Sequence, residues 1–333
     1  MKRMIRLGLI CCAFMIFLFN SVVFSKSKES GYVFKNMTPM NHKTVVKEID
    51  KIKKNKLSCP DIQVTEIGKS VEGNSISLIK IQSVPAQRTT VNMMVIGRQH
   101  GNEPAGTSAI FSYISDLING NRQLPNNVTL FVVPMVNPDG SNNNTRNNVN
   151  NINLNRDWEQ VSQPEVRVVY NAFKKYNPEI FLDLHEFSSF KGRDFDMTYC
   201  PGIDRKSPAA LQELYAAFEK IVDEKLAGTL CDKTEARTVG WIPGNPVMAA
   251  NQMGLKRLAI SYIVETKGIP ANNPLPPLAE RVKMHRIFME TMIAYASENQ
   301  DLIINTISKL RMANPVVEDS YAVLWGVHEK IFN

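Results

Sequence analysis

Cysteine is scarce in this chain, five in 333 residues, and two of the five, Cys11 and Cys12, fall inside an N-terminal apolar run. The other three, Cys59, Cys200 and Cys231, are an odd number, which excludes a fully paired disulfide framework within one chain. A single Cys200–Cys231 bridge stays open for an oxidising compartment. No cysteine spacing matches a zinc–thiolate site. Charge of one sign is not in large excess either: 39 basic residues face 32 acidic ones, and Lys2, Arg3 and Arg6 supply three of that excess. The group Lys51, Lys53, Lys54 and Lys56 reads as the solvated face and tail of a helix, so nucleic acid is not an expected partner. With 17 glycines, 18 prolines and no internal repeat, the composition excludes collagen-like, disordered and solenoid chains.

Long hydrophobic runs are absent except for one, Leu7 to Phe24, broken by Asn20 and Ser21. That excludes a multi-pass membrane protein. Its basic start and the small residues Val23 and Ser25 read as a secretory signal peptide over residues 1–25, which places residues 26–333 in a secreted or periplasmic setting. Left uncleaved, a run of this length is a single-span anchor, the one route by which a membrane becomes a partner.

Beyond the leader, apolar periodicity predicts strands over 62–67, 75–81, 91–96, 128–133, 180–184 and 258–264. Helices are predicted over 41–54, from Pro104 through Leu117, over 163–176, 208–226 and 278–298, with one more packed helix after residue 300. Strands alternating with helices imply one α/β domain with a mixed, largely parallel central sheet flanked by helices. Between them runs a polar stretch, Asn137 to Trp158, with nine asparagines between Asn142 and Asn155. By composition this is a solvated loop.

Only five histidines are present, and two of them stand where predicted strands end. Strand 91–96 runs into Gly97-Arg98-Gln99-His100-Gly101-Asn102-Glu103-Pro104, strand 180–184 into His185-Glu186, and strand 258–264 into Glu265. Carboxyl ends of strands are where α/β folds place their sites. Two imidazoles and one carboxylate, with a fourth position for water, are a catalytic zinc ligand set, so His100, Glu103 and His185 are the candidate ligands of one zinc ion. Zinc lowers the pKa of a bound water towards ~7, and an unliganded glutamate such as Glu265 is suited to take its proton. An HxxE by itself carries little; His42, His285 and His328 have no comparable context.

From Ile67 onward the chain resembles the carboxypeptidase A-like zinc carboxypeptidase family. The resemblance runs through Gly68-Lys69-Ser70-Val71-Glu72-Gly73, His100-Gly101-Asn102-Glu103, Asn137-Pro138-Asp139-Gly140, Asn155-Arg156-Asp157, Leu182-Asp183-Leu184-His185 and Glu265-Thr266-Lys267-Gly268, across roughly residues 60–295. It implies a zinc site at His100, Glu103 and His185, Glu265 as general base, and Arg146 polarising the scissile carbonyl. It also implies that Asn155 and Arg156 grip the substrate's terminal carboxylate, which suits a guanidinium fork beside an amide. Asp139 reads as a turn residue, Asp183 shares a face with His185, and Glu186 reads as supporting rather than ligating.

Two departures stand out. The interval Thr238 to Asn245 holds Trp241 but no tyrosine, where family members carry one on a mobile loop, and Asn102 stands where digestive-type members carry arginine. The function the resemblance implies is zinc-dependent removal of a C-terminal residue from a peptide or peptide-like substrate with a free carboxylate. Hydrolysis of cell-wall peptides, deacylation of N-acyl amino acids, and an inactive zinc- or peptide-binding protein are the alternatives. So is a membrane-anchored interaction protein, should the leader be retained.

Overall fold

The strands Val91–Gly97, Val128–Val133 and Met197–Pro201 are buried almost end to end, so successive side chains point into two covered layers, one on each face of the sheet. The structure is a computed structural model that describes residues 32–35, 38–55, 60–188, 196–227, 234–236, 247–269 and 275–315. The leader, Cys59, Cys231, His328 and the Thr238–Asn245 interval with Trp241 lie outside the described residues.

In chain order come α1 (His42–Lys54), β1 (Asp61–Lys69), β2 (Ser75–Gln82), β3 (Val91–Gly97), α2 (Ala105–Ile118) and β4 (Val128–Val133). Then follow α3 (Pro138–Asn143), α4 (Pro164–Tyr176), β5 (Ile180–Ser188), β6 (Met197–Pro201), α5 (Ala209–Ala227) and β7 (Thr234–Ala236). The short α6 (Ala249–Asn251) continues into a π turn, Gln252–Lys256, before β8 (Ile260–Ile269), α7 (Leu278–Glu298) and α8 (Gln300–Ala313). Among the described residues these strands form one eight-stranded sheet, ordered β1-β2-β4-β3-β5-β8-β6-β7. The pairs β3·β4, β3·β5, β5·β8 and β6·β7 are parallel, and β1·β2, β2·β4 and β6·β8 are antiparallel. The mixed, largely parallel sheet expected from the sequence is present.

One face is sealed by α1, α2, α5, α7 and α8, whose apolar stripes pack on Met93, Val95, Ile180, Leu182, Leu184, Ile260, Tyr262 and Val264. The other is covered by α4 and by the connections carrying Leu154, Trp158, Ala249 and Met253. On β5 the residues facing this second layer are Phe181, Asp183 and His185, so the run turns from apolar to polar as the strand leaves the core.

Three differences from the sequence reading bear on the site. Strands β5 and β8 do not stop at His185 and Glu265: they stay paired to Ser188↔Ile269. The antiparallel β6, which the sequence reading missed, holds β8 through Thr198↔Glu265 and Met197↔Thr266. His185 and Glu265 therefore sit inside hydrogen-bonded strands rather than at their ends. The polar stretch 137–158 is also not all loop, because it contains α3 and a 3-10 turn over Leu154–Arg156.

Candidate metal centre and active site

Gly97 ends β3, and Arg98 takes a left-handed conformation, φ 60°, that swings the chain off the sheet. A non-glycine residue holds that conformation only when its surroundings secure it. Arg98 is 2% exposed; its Nε donates to the Gly101 carbonyl at 2.9 Å and its Nη1 donates to the Met40 carbonyl. The turn is also sewn to the next connection, Val136 N–H to Gly97 O at 3.0 Å and Asn137 N–H to Arg98 O at 3.1 Å. Gly101 packs directly on α3: a Cβ there would lie 2.0 Å from the Gly140 carbonyl carbon. His100 and Glu103 thus leave a braced turn pointing the same way.

Strand β5, hydrogen-bonded to β3, brings His185 to meet them. His185 Nδ1 lies 3.1 Å from His100 Nδ1 and 2.8 Å from Glu103 Oε2, while His100 Nδ1 lies 2.8 Å from Glu103 Oε1. All three side chains are buried, and among the described residues they are the one group of acids, cysteines and histidines with converging metal-ligand atoms.

The far nitrogens explain what these near ones offer. His185 Nε2 donates to Asp183 Oδ2 at 2.8 Å and His100 Nε2 donates to Asn153 Oδ1 at 2.9 Å, as assigned from acceptor-only partners. With protons placed there, both Nδ1 lone pairs and one carboxylate face a single point. Two lone pairs at 3.1 Å repel unless a cation or proton lies between them. Imidazole and carboxylate donors are the set zinc takes, so the residues fit one such ion.

Electrostatics follow the same geometry. Burial would raise the Glu103 carboxyl, but His100 and His185 hold it well below the ordinary carboxylate range. Burial pushes His100 down despite Glu103. In His185 burial is overcome by Asp183 and Glu103, which raise it to about 10.

Glu265 is the direct register partner of His185 across β5 and β8, so both side chains rise from the same face. It keeps part of its surface open. Burial pushes its carboxyl up to about 7, against the pull of His185. Arg146 is 43% exposed and sets Nη1 2.7 Å from Glu103 Oε1. Arg156 is exposed on the 3-10 turn, with Nη1 donating to Asn155 O at 2.7 Å. Burial lowers the Arg156 guanidinium's pKa and Arg146 adds to this, whereas Glu265 opposes it. The sequence-predicted residues are therefore brought together, with one difference in kind. Asn155 is 1% exposed, its Oδ1 accepting from Ala249 N–H at 2.9 Å and its Nδ2 lying 3.3 Å from His185. Its amide is engaged behind the site rather than open to a substrate.

The structure also supplies partners that sequence left unnamed. Asp183 contacts His185, as sharing a strand face allowed. Asp139 is buried, accepting from Ser70 Oγ at 2.6 Å, Glu72 N–H at 3.1 Å and Asn74 Nδ2 at 2.8 Å, so it pins the 70–74 turn. Glu186 donates its N–H to Glu103 Oε2 at 3.0 Å, accepts from Ala105 N–H at 2.8 Å and pairs with Arg281. Gln99, Trp158 and Asn153 were not singled out; Gln99 and Asn153 carry no motif signal, and only the three-dimensional meeting finds them. His42 lies elsewhere, bonded to Ser75 O at 2.9 Å, whereas His285, 3.2 Å from Thr266 Oγ1, is buried against the backbone of His185 without joining the converging trio.

Comparison with known proteins agrees with this geometry. Carboxypeptidase 2 of Trichophyton rubrum is 23% identical over 280 residues, covering 71% of this chain and 50% of that protein. The chain spans about half the length of the curated relatives it matches over most of its length. A metallo-carboxypeptidase from Burkholderia cenocepacia shares the fold with a TM-score of 0.63 at 17% identity, over 77% of this chain and 68% of that one. A metallo-carboxypeptidase from Pseudomonas aeruginosa, solved with (2-guanidinoethylmercapto)succinic acid, superposes with a TM-score of 0.62 at 20% identity, over 77% and 69%. The zinc carboxypeptidase family profile matches residues 49–283, which take in His100, Glu103, Arg146, Asn155, Arg156, His185 and Glu265. The chain belongs to the zinc carboxypeptidase family.

Proposed function

We propose that this protein is an exported hydrolase that uses one zinc ion to remove the C-terminal residue from a peptide with a free terminal carboxylate. One observation carries this reading: Glu265 stands directly across from His185, on the face where His100, Glu103 and His185 converge, with Arg146 and Arg156 beside it. A zinc ion held by that trio supplies Lewis-acid chemistry, acidifying water and polarising a carbonyl.

The chain's own groups account for the rest. Arg156, exposed and angled by its bond to the Asn155 carbonyl, offers a guanidinium fork to a carboxylate. Asn155 ties the 3-10 turn to Ala249 and so fixes where Arg156 stands. Arg146, with its charge beside Glu103, is placed to stabilise negative charge developing on the scissile carbonyl oxygen. Glu265, raised to about 7 by burial, is suited to accept a proton from water and return it to the departing amine near neutral pH. Export rests on the basic, apolar leader of residues 1–25.

Substituting Glu265→Gln keeps the shape and removes the base. Zinc-loaded E265Q should retain the metal content of the wild type and lose turnover of free-ended peptides by about 10²–10⁴-fold. Turnover close to wild type in that variant would remove Glu265 from the mechanism.

A further inference from the structure

The two candidate metal-ligating histidines are supported by different chemistry. Behind His185 lies a chain of three buried side chains. Trp158 Nε1, which can only donate, gives its hydrogen to Gln99 Oε1 at 2.6 Å. That fixes the Gln99 amide so that Nε2 donates to Asp183 Oδ2 at 2.6 Å. The same Asp183 oxygen takes the His185 Nε2 hydrogen at 2.8 Å. Asp183 is fully buried, and its Oδ1 has no hydrogen-bond partner among the described residues. A carboxylate so enclosed needs positive charge beyond it, and the His185 ring leads directly to where that charge would sit.

Behind His100, among the described residues, the partner of Nε2 is an amide rather than an acid. Asn153 Oδ1 is held by Asn155 N–H at 3.0 Å and accepts from His100 Nε2 at 2.9 Å. The contact orients the ring as the other does, but it is a neutral amide on a half-buried connection. A carboxylate partner makes an imidazole a stronger donor to a metal than an amide partner does.

We propose that this chain backs its two metal-ligating histidines unequally. Asp183, held by Gln99 and Trp158, makes His185 the arm on which metal retention depends, and neutral Asn153 leaves His100 the weaker arm. Asn153, Asp183 and Gln99 are positioning residues in this account, and the asparagine-rich connection gains a role at Asn153 that its composition did not reveal. The inference rests on assigning zinc to His100, Glu103 and His185, but not on any particular substrate.

The test is the zinc dissociation constant of the full chain, by competition with a chromophoric chelator at one fixed pH, for wild type, D183N, N153A and N153D. D183N should weaken zinc binding by about 10–100-fold. N153A should cost less than D183N. N153D, which gives His100 a carboxylate too, should tighten binding by about tenfold. A merely structural role for Asn153 predicts loss or no change in N153D, so a gain separates the two. N153A as costly as D183N, or N153D no tighter than wild type, would overturn the proposal. Should D183N fail to fold, the half-buried position 153 decides alone by the gain or its absence. A folded wild type that takes up no zinc would overturn the metal assignment itself, a different failure from an inverted order among variants that do bind.

Discussion

One proton decides how the candidate metal residues behave without a metal. Burial depresses His100 and works against charging His185, but Asp183 and Glu103 together raise His185 to about 10, with Glu103 ionised beneath it. The metal-free trio therefore holds its proton on His185 near neutral pH. Because that pKa lies above the unfolded value of about 6.5, the stabilisation is fully present below about 6.5 and is lost as pH climbs through about 10. Zinc must displace the same proton, so its affinity should rise about tenfold per pH unit between roughly pH 7 and 9. Chelator competition at three pH values checks this, and a flat profile would mean that His185 is already neutral. At this scale the sequence was most legible where contacts are short-range. His100 and Glu103 share one turn, and Asp183 lies two residues from His185 on one strand face. Asn153 reaches His100 across 53 residues of chain, and nothing local in an asparagine-rich run marks which amide turns inward.

The turn from Gly97 to Glu103 is the element that sets the site, and its fit against α3 is the tightest point in it. A Cβ at Gly101 would come within 2.0 Å of the Gly140 carbonyl carbon and 2.3 Å of the Ser141 nitrogen. Neither backbone can give way like a flexible side chain. We expect Gly101→Ala to cost about 1–3 kcal/mol, a melting-temperature drop of roughly 2–5 °C, and to weaken zinc binding by shifting His100 relative to Glu103. Scanning calorimetry with a zinc titration reads both, and a variant unchanged in both would show that the turn tolerates displacement. Gly268 is constrained similarly, since a Cβ there would sit 1.9 Å from Glu186 Oε1. Long periodic elements were readable in advance: the sequence-predicted helix over 278–298 matches α7. The strands that finish the site were not. β6 has five residues and β7 three, too few for alternation to rise above chance, yet β6 is the strand that pairs with β8 at Glu265 and Thr266.

Over the whole chain, the sheet divides labour between its faces. Five helices seal one face into the larger core, so β3, β5 and β8 are held as a rigid base. The second face has α4 at one side and connections at the other, and the polar ends of β5 and β8 emerge among them. His100, His185 and Glu265 come from three neighbouring strands, and the family profile over residues 49–283 encloses all three. Among the described residues, no helix is long and apolar enough to cross a membrane. The proposed activity of this face is metal-dependent removal of a C-terminal residue. Its most direct test is mass spectrometry of zinc-loaded protein incubated with free-ended peptides and their C-terminally amidated counterparts, with and without a chelator. Single C-terminal residues should be lost from the free-ended peptides only, and the chelator should abolish that loss. Equal trimming of amidated peptides, trimming that survives metal removal, or intact peptides in the presence of zinc-loaded protein would contradict it.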